Sequence, residues 1–212
     1  MASHDPFGRG RVRRLFGLDR SAPPPPSTRK GEPLRPWTIP NAVGYLRLAA
    51  LPVFLVLAYS TEDGTSVASA MVFWAIAAGD YLDGILARVT GQYSRMGALL
   101  DPLVDRLTIL AGAVVCWNFE LLPRWALALL ALREVAMLFL AWHGLRHGVD
   151  IEVNWPGRIS VFPIMGGIFL ALLAPGWVAS ALLIWGLAMA ILATVLYAQT
   201  GIRATRAAKA AS

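Results

Sequence analysis

Four aspartates carry most of the chemical information in this sequence. They lie in the stretch G-D-Y-L-D-G-I-L-A-R-V-T-G-Q-Y-S-R-M-G-A-L-L-D-P-L-V-D-R, Gly79 to Arg106, as Asp80, Asp83, Asp101 and Asp105. The first pair is spaced i, i+3 and the second i, i+4. On a helix, either spacing puts both side chains on one face. The segment between the pairs is short, so the two helices it joins must run antiparallel as neighbours, with axes ~8–10 Å apart. Carboxylates converging in that gap repel, and must share protons, pair with cations or bind metal. Arg88 and Arg106 offset part of the charge but leave an anionic excess. Oxygen-only ligands favour Mg²⁺, Mn²⁺ or Ca²⁺ over zinc or copper. Two such ions ~3.5–4 Å apart, as in two-metal phosphoryl-transfer sites, would suit the cluster. Gly84 and Ala87 each follow an aspartate by one turn, and Gly97 precedes Asp101 by one turn. Without bulk there, a substrate can come close to the helix backbone, with Arg88 placed for bidentate contact to a phosphate.

The elements that must position these groups are apolar. Of 212 residues 57% are hydrophobic and only 15% charged, with a mean hydropathy of +0.56. An ordinary soluble domain carries more charge. The net charge is +6, and an oily chain with a basic bias fits an integral membrane protein with basic cytoplasmic loops. The expected fold is all-α and polytopic, with six transmembrane helices near Ile39–Tyr59, Ser66–Arg88, Met96–Phe119, Leu121–His143, Ile159–Ala174 and Trp177–Gln199. Six of the eight tryptophans fall near the ends of these spans, as interfacial anchors should. Pro102 is compatible with its helix if it lies in the first turn.

Basic residues set the orientation. With the N-terminus inside, the inner segments hold fifteen Lys and Arg and the outer loops only Arg124. Both termini are therefore expected in the cytoplasm, and the aspartates at the cytoplasmic ends of their helices. Residues 1–36, with eight Lys and Arg and the run Pro23–Pro26, read as a flexible basic tail. This tail suits anionic lipid headgroups better than nucleic acid. Residues 37–200 form the membrane domain and 201–212 a short basic tail. No signal-peptide core precedes the first span. The single cysteine, Cys116, excludes an intrachain disulfide and reads as a small apolar helix residue.

The pattern D-x2-D-G-x2-A-R-x8-G-x3-D-x3-D, filled by Asp80, Asp83, Gly84, Ala87, Arg88, Gly97, Asp101 and Asp105, resembles the signature of the CDP-alcohol phosphotransferase family. The six-helix reading agrees with that family, and Thr38–Arg47 resembles the first helix of its phosphatidylglycerophosphate and cardiolipin synthases. The resemblance implies transfer of a phosphatidyl group from CDP-diacylglycerol to an alcohol, with release of CMP. It implies Mg²⁺ or Mn²⁺, as two ions, on Asp80, Asp83, Asp101 and Asp105, with Asp105 also the general base. It further implies a CDP site made by Asp80, Asp83, Gly84, Ala87, Arg88, Gly97 and Asp101. A homodimer in the cell membrane, with its active site facing the cytoplasm, is also implied.

For the acceptor, L-L-D-P-L-V-D-R resembles the glycerophosphate and cardiolipin enzymes more than the inositol ones. Arg133-Glu134 and Asn154–Arg158 resemble elements of the glycerophosphate enzymes, so Arg133 and Arg158 are candidates for gripping the phosphate of glycerol 3-phosphate. Where that element continues K-T and then Q, this chain has Ser160, Val161 and Ile164, so one expected cation is missing. Phosphatidylglycerol (a cardiolipin synthase) is the first alternative and an inositol phosphate the second. Arg133 could instead pair with Glu134, Arg158 could anchor at the interface, and Arg47 reads as structural or snorkelling. His143 and His147 read as an ordinary helix end. A cation transporter needs polar residues continuing across the membrane, but Leu107–Trp117 is uninterrupted by charge. An intramembrane prenyltransferase would carry two separated aspartate motifs.

Overall fold

The computed structural model describes residues 35–147 and 155–210. Side chains of 138–159 and 196–210 lie outside that description. So do both the expected basic tail up to residue 34 and Asn154. Six helices and no strands occur among the described residues: α1 Ile39–Tyr59, α2 Val67–Thr90, α3 Arg95–Asn118, α4 Arg124–His147, α5 Trp155–Leu173 and α6 Trp177–Ala210. The expected spans match these helices to within a few residues, except that α6 continues well beyond Gln199.

Among the described residues, three segments are long and apolar enough to cross a membrane: Ile39–Tyr59, Val67–Thr90 and Trp177–Val195. The described part of α5, Ser160–Leu173, is also apolar. The charges of α3 (Arg95, Asp101, Asp105 and Arg106) keep that helix out of the apolar group. Among the described residues the chain is all-helical, and its long apolar helices suit a membrane. Trp37, Trp117, Trp125 and Trp177 lie near helix ends with their rings exposed, as interfacial anchoring requires.

The chain divides into two compact units. One is drawn from Met1–Phe54 and Val72–Thr108, the other from Leu55–Met71 and Ile109–Ser212.

The first unit holds the aspartate hairpin. Its helix ends are specified locally. Thr38 caps α1, its Oγ1 accepting from the Asn41 amide at 3.3 Å. Ser94 caps α3, its Oγ accepting from the Gly97 amide at 3.0 Å. Gly91, at φ +65°, ends α2 in the left-handed region that a Cβ disfavours. Asn41 and Gln92 tie the start of α1 to the α2–α3 connection. Asn41 Nδ2 donates to the Arg35 and Pro36 carbonyls at 3.1 and 3.0 Å. The Ser94 hydroxyl donates to Asn41 Oδ1 at 2.9 Å. The Ile39 amide donates to Gln92 Oε1 at 3.0 Å. Phe54 and Phe73 pack in the core with ring centroids 5.4 Å apart and planes tilted by 52°. Pro102 stands inside α3 rather than in its first turn. Lacking an N–H, it cannot donate to the Ala98 carbonyl, so the helix loses one rung beside Asp101.

In the second unit, α5 and α6 pack with their backbones close. A Cβ on Gly167 would stand 2.9 Å from the Ala179 carbonyl oxygen and the Leu183 nitrogen, and one on Gly186 2.9 Å from the Ile164 nitrogen. Small residues at such crossings let two helices approach. The α3–α4 turn closes through the Leu121 amide, which donates to the Cys116 carbonyl at 3.0 Å. Cys116 is fully buried.

Candidate active site

The cluster is built by three helices, not two. α2 and α3 supply the carboxylates, and α1 supplies a buried cation, Arg47, only 3% exposed. Arg47 Nη1 donates to Asp83 Oδ2 at 3.1 Å and lies 3.5 Å from Asp80 Oδ1. Its Nη2 donates to Asp105 Oδ1 at 2.5 Å, and its Nε donates to the Ile76 carbonyl at 2.8 Å. Asp80, Asp83 and Asp105 therefore meet around one guanidinium. Asp83 is buried, whereas the Asp80 side chain is 47% exposed and that of Asp105 31%. Asp101, half-buried one turn before Asp105, is not among the carboxylates that touch Arg47. It lies within electrostatic reach of Asp80, Asp83, Asp105 and Arg47. Arg106 adds a second positive charge near Asp105.

The site begins with periodicity. Spacings of three and four residues put each aspartate pair on one face, and the short α2–α3 connection returns the second pair alongside the first. Arg47 is the residue that sequence reasoning missed, having read it as structural or snorkelling. Its signal was present: a lone cation in an otherwise apolar span needs a partner, and the chain offers four candidate acids. Nothing local shows that it reaches Asp83, 36 residues away, or Asp105, 58 away.

The motif's small residues have different neighbours. A Cβ on Gly97 would meet Asn41 Oδ1 at 2.8 Å and Ser94 Oγ at 3.3 Å, so this glycine makes room for the α1–α3 tie. A Cβ on Gly84 would meet only the Arg88 guanidinium, at 3.5 Å, which is ordinary contact. Gly84 and Ala87 are half-buried, as is Arg88. Outside the motif, Gly44 makes room for Leu100 and Gly79 for the Arg47 stem.

The donor set suits a hard divalent cation: carboxylate oxygens only, from two helices, with more negative than positive charge. As the side chains stand, no three Asp, Glu, His or Cys residues among the described ones are grouped to hold an ion. The point where three carboxylates converge is held by Arg47.

In the second unit, Arg133 ion-pairs with buried Glu134 through Nη1. Its Nε is buried without a hydrogen-bond partner among the described residues. The backbone of Arg158 belongs to α5, but its side chain lies outside the described residues, as do those of His143 and His147. Ser160 and Ile164 are buried.

A family model described as CDP-alcohol phosphatidyltransferase matches residues 37–195. The chain is 38% identical over 172 residues to a cardiolipin synthase (CMP-forming) of Streptomyces coelicolor, spanning 78% of this chain and 80% of that one. It is 34% identical over 176 residues to a Mycobacterium tuberculosis protein provisionally named cardiolipin synthase, spanning 76% and 81%. A second protein of that organism, provisionally named phosphatidylglycerophosphate synthase, is 35% identical over 163 residues, spanning 74% and 76%. The chain belongs to the CDP-alcohol phosphatidyltransferase family.

Proposed function

We propose that the chain is a membrane enzyme of phospholipid synthesis that transfers the phosphatidyl group of CDP-diacylglycerol to an alcohol and releases CMP. The observation that carries this reading is the gathering of Asp80, Asp83 and Asp105, from two helices, at one point inside the family's motif. The acceptor oxygen bonds to the phosphorus carrying diacylglycerol, and the bond from that phosphorus to the CMP oxygen breaks. Asp105 takes the acceptor's hydroxyl proton. Its Oδ1 already accepts from Arg47, which leaves Oδ2 for the proton. Gly84, Ala87, Arg88 and Gly97 hold the cytidine and diphosphate, with Arg88 gripping phosphate oxygens. Asp80, Asp83, Asp101 and Asp105 are the residues that would hold one or two divalent ions. Bound there, Mg²⁺ or Mn²⁺ would neutralise the diphosphate and stabilise the departing CMP. The family's general dependence on divalent metal supports this assignment.

The same reading puts six helices across the cell membrane, both termini in the cytoplasm and the carboxylates at the cytoplasmic face. The donor's acyl chains then stay in the bilayer while its headgroup enters the pocket. Residues 37–200 form the catalytic domain between two basic cytoplasmic tails, and the enzyme works as a homodimer. Basic inner loops support the orientation.

Glycerol 3-phosphate is the proposed acceptor, gripped by Arg133 and Arg158. The likeness to a phosphatidylglycerophosphate synthase supports it. Phosphatidylglycerol is the second reading. It is favoured by the likeness to cardiolipin synthases and by buried Ser160 where a further cation is expected. A single panel decides: purified protein, CDP-diacylglycerol and Mg²⁺ or Mn²⁺, with glycerol 3-phosphate, phosphatidylglycerol or inositol phosphate, and CMP release measured. Metal-independent release, or none with any acceptor, defeats the proposal. Ion flux in liposomes without CMP release would support a transporter instead.

A further inference from the structure

We propose that Arg47 is a positioning residue of the carboxylate cluster: a tethered cation that fixes Asp83 of α2 against Asp105 of α3 and competes with divalent ions for their oxygens, seated in a notch that exists because residue 79 is glycine. The proposal rests on the reading of the cluster as a cation-dependent phosphatidyltransferase site.

Three observations carry it. The guanidinium spends each nitrogen on a different group: Nε on the Ile76 carbonyl, Nη1 on Asp83 and Nη2 on Asp105. A side chain held this way has little rotamer freedom, and the two carboxylates it holds come from different helices. Second, the stem is as confined as the head. A Cβ on Gly79 would stand 2.7 Å from Arg47 Cδ and 2.9 Å from Cγ. The stem cannot yield cheaply, because the head is bonded at three points. Third, the guanidinium lies where three of the four aspartates converge, within 3.5 Å of Asp80, Asp83 and Asp105. An oxygen that accepts from Arg47 has a lone pair committed, and a divalent ion approaching it meets a positive charge a few ångströms away. Arg47 thus serves the reaction by holding Asp105 in register and lowers cation affinity by its charge. Removing it should move these two quantities in opposite directions, which a merely structural arginine would not do.

The test measures Mn²⁺ binding by electron paramagnetic resonance on the purified full chain without substrate, and CMP release separately. Removing a unit charge this close should tighten Mn²⁺ binding about tenfold in Arg47→Ala, while CMP release falls about a hundredfold. Arg47→Lys keeps the charge but not the three-way fork. It should bind Mn²⁺ within about twofold of wild type and still release CMP at least tenfold more slowly. Gly79→Ala should shift both readouts as Arg47→Ala does, to a smaller extent. Arg47→Ala with Gly79→Ala should be no worse than Arg47→Ala alone, because the notch is then empty. Gly166→Ala, whose Cβ would meet open space, controls for a new methyl on a helix and should change neither readout. If Arg47→Ala does not fold, Arg47→Lys and Gly79→Ala still decide. Mn²⁺ binding that weakens or stays unchanged in Gly79→Ala and Arg47→Ala overturns the proposal, as does a wild type that binds no Mn²⁺. A wild type that binds Mn²⁺ but releases no CMP with any acceptor defeats the transferase reading instead, and leaves the Mn²⁺ comparison to judge Arg47.

Discussion

Gly97→Ala separates two reasons for a small residue in the motif. The resemblance assigns Gly97 to the nucleotide pocket, whereas the structure puts the Asn41 amide and the Ser94 hydroxyl in the space a side chain would take. An added Cβ would lie 2.8 Å from Asn41 Oδ1, too close for Asn41 to stay. Moving Asn41 breaks the Ser94–Asn41 hydrogen bond at 2.9 Å and strains the two bonds from Asn41 Nδ2 to the Arg35 and Pro36 carbonyls. One hydrogen bond lost among buried groups, plus a partner left unsatisfied, costs about 2 kcal/mol. For a chain of this size that lowers the unfolding midpoint by about 4–8 °C. Cys116 makes the measurement direct: it is the only cysteine and is fully buried, so a thiol-reactive fluorophore reports unfolding of detergent-solubilised protein. Asn41→Ala empties the space, so Gly97→Ala should cost at least about 1 kcal/mol less in that background. If Gly97→Ala leaves the midpoint unchanged and only raises KM for CDP-diacylglycerol, the packing argument is wrong and the glycine serves the nucleotide.

Other substitutions probe the remaining assignments. Asp105→Asn should abolish CMP release while leaving binding of CDP-diacylglycerol partly intact, and wild-type turnover in that variant would remove Asp105 as the base. Arg158→Ala should raise KM for a phosphorylated acceptor several-fold and leave KM for the nucleotide lipid alone; an unchanged acceptor KM excludes it from the acceptor pocket. Gly167→Ala should destabilise the second unit by about 1–3 kcal/mol, since its Cβ would meet the backbone of α6 at 2.9 Å. A midpoint equal to wild type in the fluorophore assay would contradict that crossing.

The sequence alone determined the helices and the acid pairs, because both are local. Apolar runs of about twenty residues fix where α1, α2 and the start of α6 lie, and spacings of three and four put Asp80 with Asp83 and Asp101 with Asp105 on one face. The family signature is legible for the same reason, being compressed into one hairpin. Pro102 inside α3 was not legible, since a proline's cost depends on what surrounds the missing rung. Nor was the division of labour among the glycines. Composition shows that Gly79 and Gly97 lack bulk, but only packing shows that Arg47 fills one gap and Asn41 the other. The partners of Arg47 lie up to 58 residues away on two other helices. Which acids a buried cation meets depends on how helices are rotated and stacked, and no periodicity within a single helix encodes that.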